Sequence, residues 1–455
     1  MSKRVDKAIA VGLLAAVVCT ALTQGAVEAW SVAIFELVVV SLLLMWAVKC
    51  VTEREVALRV PGAGVAMAMF VALGLVQGIK QSSGADPWSV LSMDAEATRA
   101  AVTVLFFLLI SYLIAANLFT SRERSRSVVG FLLFYGFALA VLALIQSFAW
   151  DGRFFWLRPT KLQQAFGPFG NRNHFAGYIE MLFGLPIALI LTGQGRREFR
   201  LFCAFAASVM GVSVVASLSR GGMIGLVASI MFILFVSGGL PKHAGPAGER
   251  RRLPFYIPQT VAVAAIVGSI TVGILWVGAA PVIERVTATV DGGESGEAAP
   301  ASLNRSVIWG DTWAIFKDSP VFGAGLGAFQ TVYPIHSRSD GSVIVAQAHN
   351  DYLQVLADAG IVGGLIALSF IILVFRSVAR GLRSRNSFDA AVAAGSGAGI
   401  FAMLVHSLFD FNLQLPSNAL LFLVLSAMAA GASSLAAHLP SSGRQHPPVS
   451  AGGYS

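Results

Sequence analysis

The sequence predicts an all-α polytopic membrane protein with about twelve transmembrane helices and one large polar loop. Three observations predict it. The 455 residues are 56 % hydrophobic and only 12 % charged, with a mean hydropathy of +0.73, outside the range of soluble globular domains. The apolar residues gather in runs of roughly 17 to 22, long enough to cross a hydrocarbon core of about 30 Å. The basic residues alternate between dense and sparse connections, as the positive-inside rule requires.

The apolar runs fall near 7–24, 30–49, 62–79, 100–119, 128–149, 174–192, 200–217, 221–240, 259–280, 360–378, 390–410 and 416–437. Each has to be helical, because lipid offers the backbone no hydrogen-bond partner. With a cytoplasmic N-terminus, the inside segments hold Lys3, Arg4 and Lys7; Lys49, Arg54 and Arg59; Arg122, Arg124 and Arg126; Arg196, Arg197 and Arg200; Lys242, Arg250, Arg251 and Arg252; Arg376, Arg380, Arg383 and Arg385; and Arg444. These are most of the 32 basic residues, so both termini are expected in the cytoplasm. Lys3-Arg4, the apolar stretch after it and Val27-Glu28-Ala29 also have the outline of a cleavable signal peptide, although the reading adopted is a retained helix. The expected organisation is an N-terminal helical region over 1–160, a catalytic region over 161–440 that includes the loop 281–359, and a disordered Ser/Gly/Pro/His tail over 441–455.

The formal charge of +8 follows from the cytoplasmic bias and does not call for nucleic acid as a partner. Cys19, Cys50 and Cys203 lie in or beside apolar spans, a distribution that suggests neither a disulfide framework nor a metal cluster. The remaining basic residues, Lys80, Arg99, Arg153, Arg158, Lys161, Arg172, Arg220, Arg285, Arg305, Lys317 and Arg338, run against the topological bias. Most of them sit in the outside loops 150–173, 217–221 and 281–359. An anionic ligand at that face would require such a concentration.

The densest chemistry is Gln347-Ala348-His349-Asn350-Asp351-Tyr352-Leu353. Asn350 or Asp351 can cap a short helix whose apolar face is Tyr352, Leu353, Val355 and Leu356 and whose stop is Gly360. His349 then stands just ahead of a helix N-terminus, where the positive end of the dipole favours a neutral imidazole available as a base. In Gly170-Asn171-Arg172-Asn173-His174-Phe175-Ala176-Gly177, Asn171 or Asn173 can cap a membrane helix, with Arg172 at the water boundary. A snorkelling Arg172 and a structural His174 are the plainer readings there. Ser217-Leu218-Ser219-Arg220-Gly221-Gly222 leaves almost no loop between two spans, and an arginine in such a hairpin usually faces a watery cavity or a counter-charge.

Ser302 is a plausible N-cap for a helix carrying Arg305, with Ile308, Trp309, Thr312, Trp313 and Phe316 as a stripe for the membrane interface and Ser319-Pro320 as its stop. Phe322-Gly323-Ala324-Gly325-Leu326-Gly327 has no strand ahead of it, so a tight turn fits better than a dinucleotide fold. The set has one chemical logic. Two or three arginines can neutralise a diphosphate, each charge pair contributing on the order of 4 kcal/mol before desolvation at about 4 Å and an effective dielectric near 20. A neutral histidine can then take the proton of an attacking hydroxyl while a lipid diphosphate leaves.

Taken together over residues 165–375, Gly170 to Gly177, Leu218 to Gly221, Arg305 with Trp309, Asp318-Ser319-Pro320 with Phe322 to Gly327, and Ala348 to Leu353 ending at Gly360 resemble the O-antigen ligase and polymerase superfamily of bacterial envelope glycosyltransferases. The resemblance implies a C-type glycosyltransferase fold in the inner membrane, acting on the periplasmic face without metal or other cofactor. It implies an undecaprenyl diphosphate-linked glycan as donor, and lipid A-core or a growing glycan as acceptor. Carried over by position, Arg220, Arg305 and Arg172 would contact the diphosphate, His349 would activate the acceptor hydroxyl with inversion, and Asn350, Asn173 and His174 would support them. A ligase ranks ahead of a polymerase and a protein O-oligosaccharyltransferase, and the Gly/Glu/Ala/Pro insert near 291–301 departs from the commonest ligases. Two other classes compete. One is a metal-dependent transferase using Asp94-Ala95-Glu96, and the other is an anionic-lipid transporter, against which stands the scarcity of ionisable groups deep in the helices, Glu36, Glu180 and, at a helix edge, Asp410 being the main ones.

Overall fold

The computed structural model describes residues 2–55, 58–79, 91–159, 165–241, 305–337 and 344–437, with scattered positions between 264 and 275. The elements are α1 (Ser2–Leu22), α2 (Ala29–Glu53), α3 (Gly62–Gln77), α4 (Ala95–Leu118), α5 (Arg122–Phe148), a two-residue hairpin β1 (Arg153–Phe154) and β2 (Arg158–Pro159), α6 (Arg172–Leu191), α7 (Arg197–Ala216), α8 (Arg220–Ser237), α9 (Arg305–Asp318), α10 (Phe329–His336), α11 (Asp351–Leu382), α12 (Ser387–His406) and α13 (Pro416–Ala437). Among the described residues, ten helices are long and apolar enough to cross a membrane, and α3 is an apolar helix of shorter length. The chain is an all-α polytopic membrane protein. The ninth span expected from the sequence, 259–280, lies largely outside the described residues, as do the 291–301 insert, the Ser302 cap and the tail.

Helices α6, α12 and α13 form the centre, and α12 packs on α6, α8 and α13. Small residues make this possible. Gly395, Gly397 and Gly399 on α12 and Gly184 on α6 sit where a side chain would strike the neighbouring helix, the close approach that association in lipid relies on. The outer helices turn Leu37, Val51, Phe235 and Leu365 outward, which suits a hydrocarbon solvent. Helices α4 and α5 start about five residues earlier than hydropathy alone suggests. At α4 the cause is the cap: Asp94 accepts the Ala97 N–H at 2.9 Å, so the polar first turn stays helical.

Helix α11 is really two helices. Gly360 has φ 62° and ψ −163°, a conformation open to glycine and closed to other residues, and it separates a short segment, 351–359, from the long span after it. The Gly323–Gly327 run wedges in at this break as a tight turn. Ile361 N–H donates to Pro320 O (2.8 Å), Ala324 N–H to Ala357 O (2.8 Å) and Gly325 N–H to Asp358 O (3.0 Å). Gln77 at the end of α3 fastens the same turn by donating to Phe322 O (2.6 Å) and Asp358 O (3.0 Å).

A second, small apolar core covers the short segment, built from Ile308 and Ile315 of α9, Phe329, Val332 and Tyr333 of α10, and Ala324, Ala328, Val345, Ala348 and Ala357. This divides the stripe expected on α9. Ile308 and Thr312 face inward with Asp311 and Ile315, whereas the Trp313 and Phe316 rings pack at a tilt with centroids 4.8 Å apart, Trp313 on the outer side. The inward set follows the 3.6-residue period, and Trp313 lies about 100° round from Thr312.

Candidate active site

The site is organised by the connector between α12 and α13, residues 407–415, and the head of α11 is strapped to it. Asn350 caps α11, its Oδ1 accepting the N–H groups of Tyr352 (3.0 Å) and Leu353 (3.1 Å), while its Nδ2 donates to Leu408 O at 3.1 Å. Asp351 N–H donates to Ser407 O (2.9 Å), and the Asp351 carboxylate accepts from the Ser407 hydroxyl (2.8 Å) and Leu413 N–H (3.2 Å). These bonds hold His349 in left-handed backbone, φ 52°, a costly geometry for a residue with a side chain and one that clusters at functional sites.

Asp410 is the partner His349 meets. It is 1 % exposed, with His349 Nδ1 at 3.5 Å, His174 Nε2 at 3.9 Å and the Asn173 amide donating at 2.6 Å. The Phe411 ring stands edge-on to both imidazoles, at 4.9 Å from His349 and 4.8 Å from His174. Burial pushes the Asp410 carboxyl upward, but the contact with His349 and the charges of His174, His406 and His349 outweigh it and hold the group below the usual carboxylate range. Asn171 caps α6 by accepting Asn173 N–H at 2.9 Å, so one cap fixes the residue that grips Asp410.

One turn further into the bundle, His406 Nδ1 lies 3.1 Å from Glu180 Oε1, and both side chains are buried. Helix α8 covers this pair with Gly221 against His406 and Gly225 against Glu180, positions where any Cβ would collide. That contact brings Arg220 to the site: it is the first residue of α8, half-buried, beside Gly221, with Ser219 capping through Gly222 N–H at 3.1 Å. Arg305, half-buried at the start of α9, is within Coulombic reach of His406. Arg172, half-buried at the start of α6, joins through its neighbour Asn173.

The structure therefore brings together His349, Asn350, Asn173 and His174 around Asp410 and its connector, with Arg220 next to the Gly221 that packs on His406 and Arg305 within Coulombic reach of His406. Other basic residues serve local ends: Arg99 donates to Gly78 O at 3.3 Å, and Arg153 lies 3.9 Å from Asp151. Lys80, Lys161, Arg285, Arg338 and the side chain of Arg158 lie outside the described residues. Sequence reasoning missed Asp410 as the histidine's partner and the Glu180–His406 pair, since it weighed Glu180 and Asp410 only as ionisable groups bearing on a transporter. The cue was present in His406-Ser407-Leu408-Phe409-Asp410-Phe411-Asn412, four polar residues in seven at the end of a span. The competing acid, Asp94, has both oxygens engaged, Oδ1 by Ala97 N–H and Oδ2 by the Thr331 hydroxyl at 2.7 Å.

A carboxylate facing Nδ1 of an imidazole keeps the proton on that nitrogen and leaves Nε2 as a base. The Nδ1 atom of His349 is buried, while the side chain as a whole is 32 % exposed. Fold and site thus define a polytopic helical membrane protein with an imidazole–carboxylate centre beside arginine-bearing helix starts. Residues 205–368 match the family profile described as O-antigen ligase, and that match supports a ligase- or polymerase-type function in general terms. No curated protein matches the chain.

Proposed function

We propose that this protein moves a glycan from undecaprenyl diphosphate to an acceptor hydroxyl, that of lipid A-core, at the periplasmic face of the bacterial inner membrane. His349 Nε2 takes the acceptor proton, the acceptor oxygen attacks the anomeric carbon with inversion, and the bond to the diphosphate oxygen breaks with its electron pair leaving on the carrier. Arg220 and Arg305, with Arg172 at the edge, neutralise the departing diphosphate. Each begins a helix, so the backbone N–H groups of those first turns add to the positive field.

The observation that carries this reading is the 3.5 Å approach of His349 Nδ1 to the buried Asp410. It is longer than an ideal hydrogen bond, as such contacts often are before substrate tightens them. Asn173, His174 and Asn350 act through Asp410 and its connector as positioning residues. The periplasmic assignment rests on the charge bias of the sequence, since the site residues all lie at the sparsely charged end of the helices.

The test is glycan profiling of a deletion strain carrying the wild-type chain or a variant. His349→Ala and Arg220→Ala should each lower surface glycan attachment by at least about 10²-fold at normal membrane levels. Normal glycan from either variant would overturn the assignment. Full-length lipid-linked polymer accumulating in the deletion strain marks a ligase, and single repeat units mark a polymerase with the same donor chemistry.

A further inference from the structure

At the opposite end of the bundle from the active site, a cavity of about 430 Å³ opens between α1, α2, α4 and α5. Its polar wall holds Lys49, Arg59 and Arg124 with a single carboxylate, Asp6. Asp6 is fully engaged: Oδ1 accepts from Lys49 Nζ at 2.6 Å and Oδ2 from Arg124 Nη1 at 2.7 Å. Lys49 also lies 3.9 Å from Glu53, and Arg124 also donates to the Thr120 hydroxyl at 3.1 Å.

Arg59 is the cation left over. Its backbone is fastened on both sides by Asn117, which accepts Arg59 N–H at 2.9 Å and donates to Arg59 O at 2.9 Å. No carboxylate pairs with its guanidinium among the described residues. The facing wall is apolar, with Ile9, Trp46, Ile114 and Leu118, and Leu58 stands half-exposed at the mouth.

We propose that this cavity is a binding site for the phosphodiester of an anionic membrane phospholipid. The phosphate settles against Arg59, with Lys49 and Arg124 on either side, and the glycerol and first acyl carbons lie on the Trp46 and Leu58 wall. Three cations line the cavity with one carboxylate, and even with Glu53 beside Lys49 the positive charges outnumber the negative, so an amphiphilic anion is the kind of ligand that satisfies both of its walls. A built clasp around Arg59 distinguishes this from the general attraction of basic loops to lipid headgroups. The site makes no use of the glycan-transfer machinery, and the two readings stand or fall separately.

Native mass spectrometry of the full-length chain released from detergent micelles tests it, with phosphatidylglycerol, phosphatidylethanolamine and inorganic phosphate as probes. Phosphatidylglycerol should be retained about fivefold or more above phosphatidylethanolamine, and Arg59→Gln should remove about fivefold of that retention, the worth of one cation at a lipid headgroup. The exposed Arg197→Gln at the same end, outside the cavity, should leave it unchanged. Asp6→Asn should raise retention, a gain that misfolding does not produce. Equal retention of the two lipids, no loss in Arg59→Gln, no gain in Asp6→Asn, or displacement of the lipid by millimolar inorganic phosphate overturns the proposal.

Discussion

At the scale of single residues, the site depends on a carboxylate kept ionised in an apolar surrounding. Asp410 accepts from Asn173 at 2.6 Å and faces two imidazoles, so its negative charge is favoured by the fold. A group whose folded value lies below its unfolded one contributes stability that is complete above the unfolded value, near pH 4, and is lost as the pH falls through the folded value. The melting temperature of the wild type should therefore exceed that of Asp410→Asn above about pH 5, and the margin should be lost as the pH falls through the folded value of Asp410. In transfer assays the same variant should lose about 10²-fold in rate, because an amide no longer selects the His349 tautomer. Wild-type transfer by Asp410→Asn would remove the dyad from the mechanism. His349 and its Asn350 cap were legible in the sequence, since capping is local chemistry read from adjacent letters. Asp410 was not, because its role comes from a contact across 61 positions that no spacing rule encodes.

Among the elements, α12 and its connector do the most positioning. The start of α12 is held by Arg122 of α5, whose Nε donates to Asp389 Oδ1 (3.0 Å) and whose Nη2 donates to Oδ2 (2.8 Å). Asp389 is 1 % exposed, so Arg122→Ala leaves a charge buried without its partner. The expected loss is about 3 kcal/mol of stability, measured as reversible unfolding in mild detergent, and Arg122→Lys should recover only part of it because one ammonium cannot repeat the two-pronged contact. The length of the apolar runs located α12 and α13 well, and periodicity was the guide for α9. It gave no warning that α9 would fold back on α10 to shelter the head of α11, since an inward Ile308/Thr312 face and a lipid-facing one have the same period. The short segment 351–359 was read correctly because Gly360 punctuates it.

For the whole molecule, class and span order follow from composition and hydropathy, the strongest signals any chain carries. What they leave open is convergence: α6, α8, α11 and α12 come together because glycines on α8 and α12 admit close neighbours, a property of shape rather than polarity. The break at Gly360 has a consequence for how the protein lives in its bilayer. A span of 361–382 answers to local lipid thickness by tilting, but the helix is interrupted at Gly360, and His349 on the far side of that break is moored to residues 407–413. Transfer by the reconstituted wild type should thus vary little between vesicles of short- and long-chain lipids. Gly360→Ala, which sets a methyl against the Val321 carbonyl in a backbone conformation closed to alanine, should disturb the break and make the rate depend on bilayer thickness; a flat response in the variant would show that the break gives the wild type no such insulation.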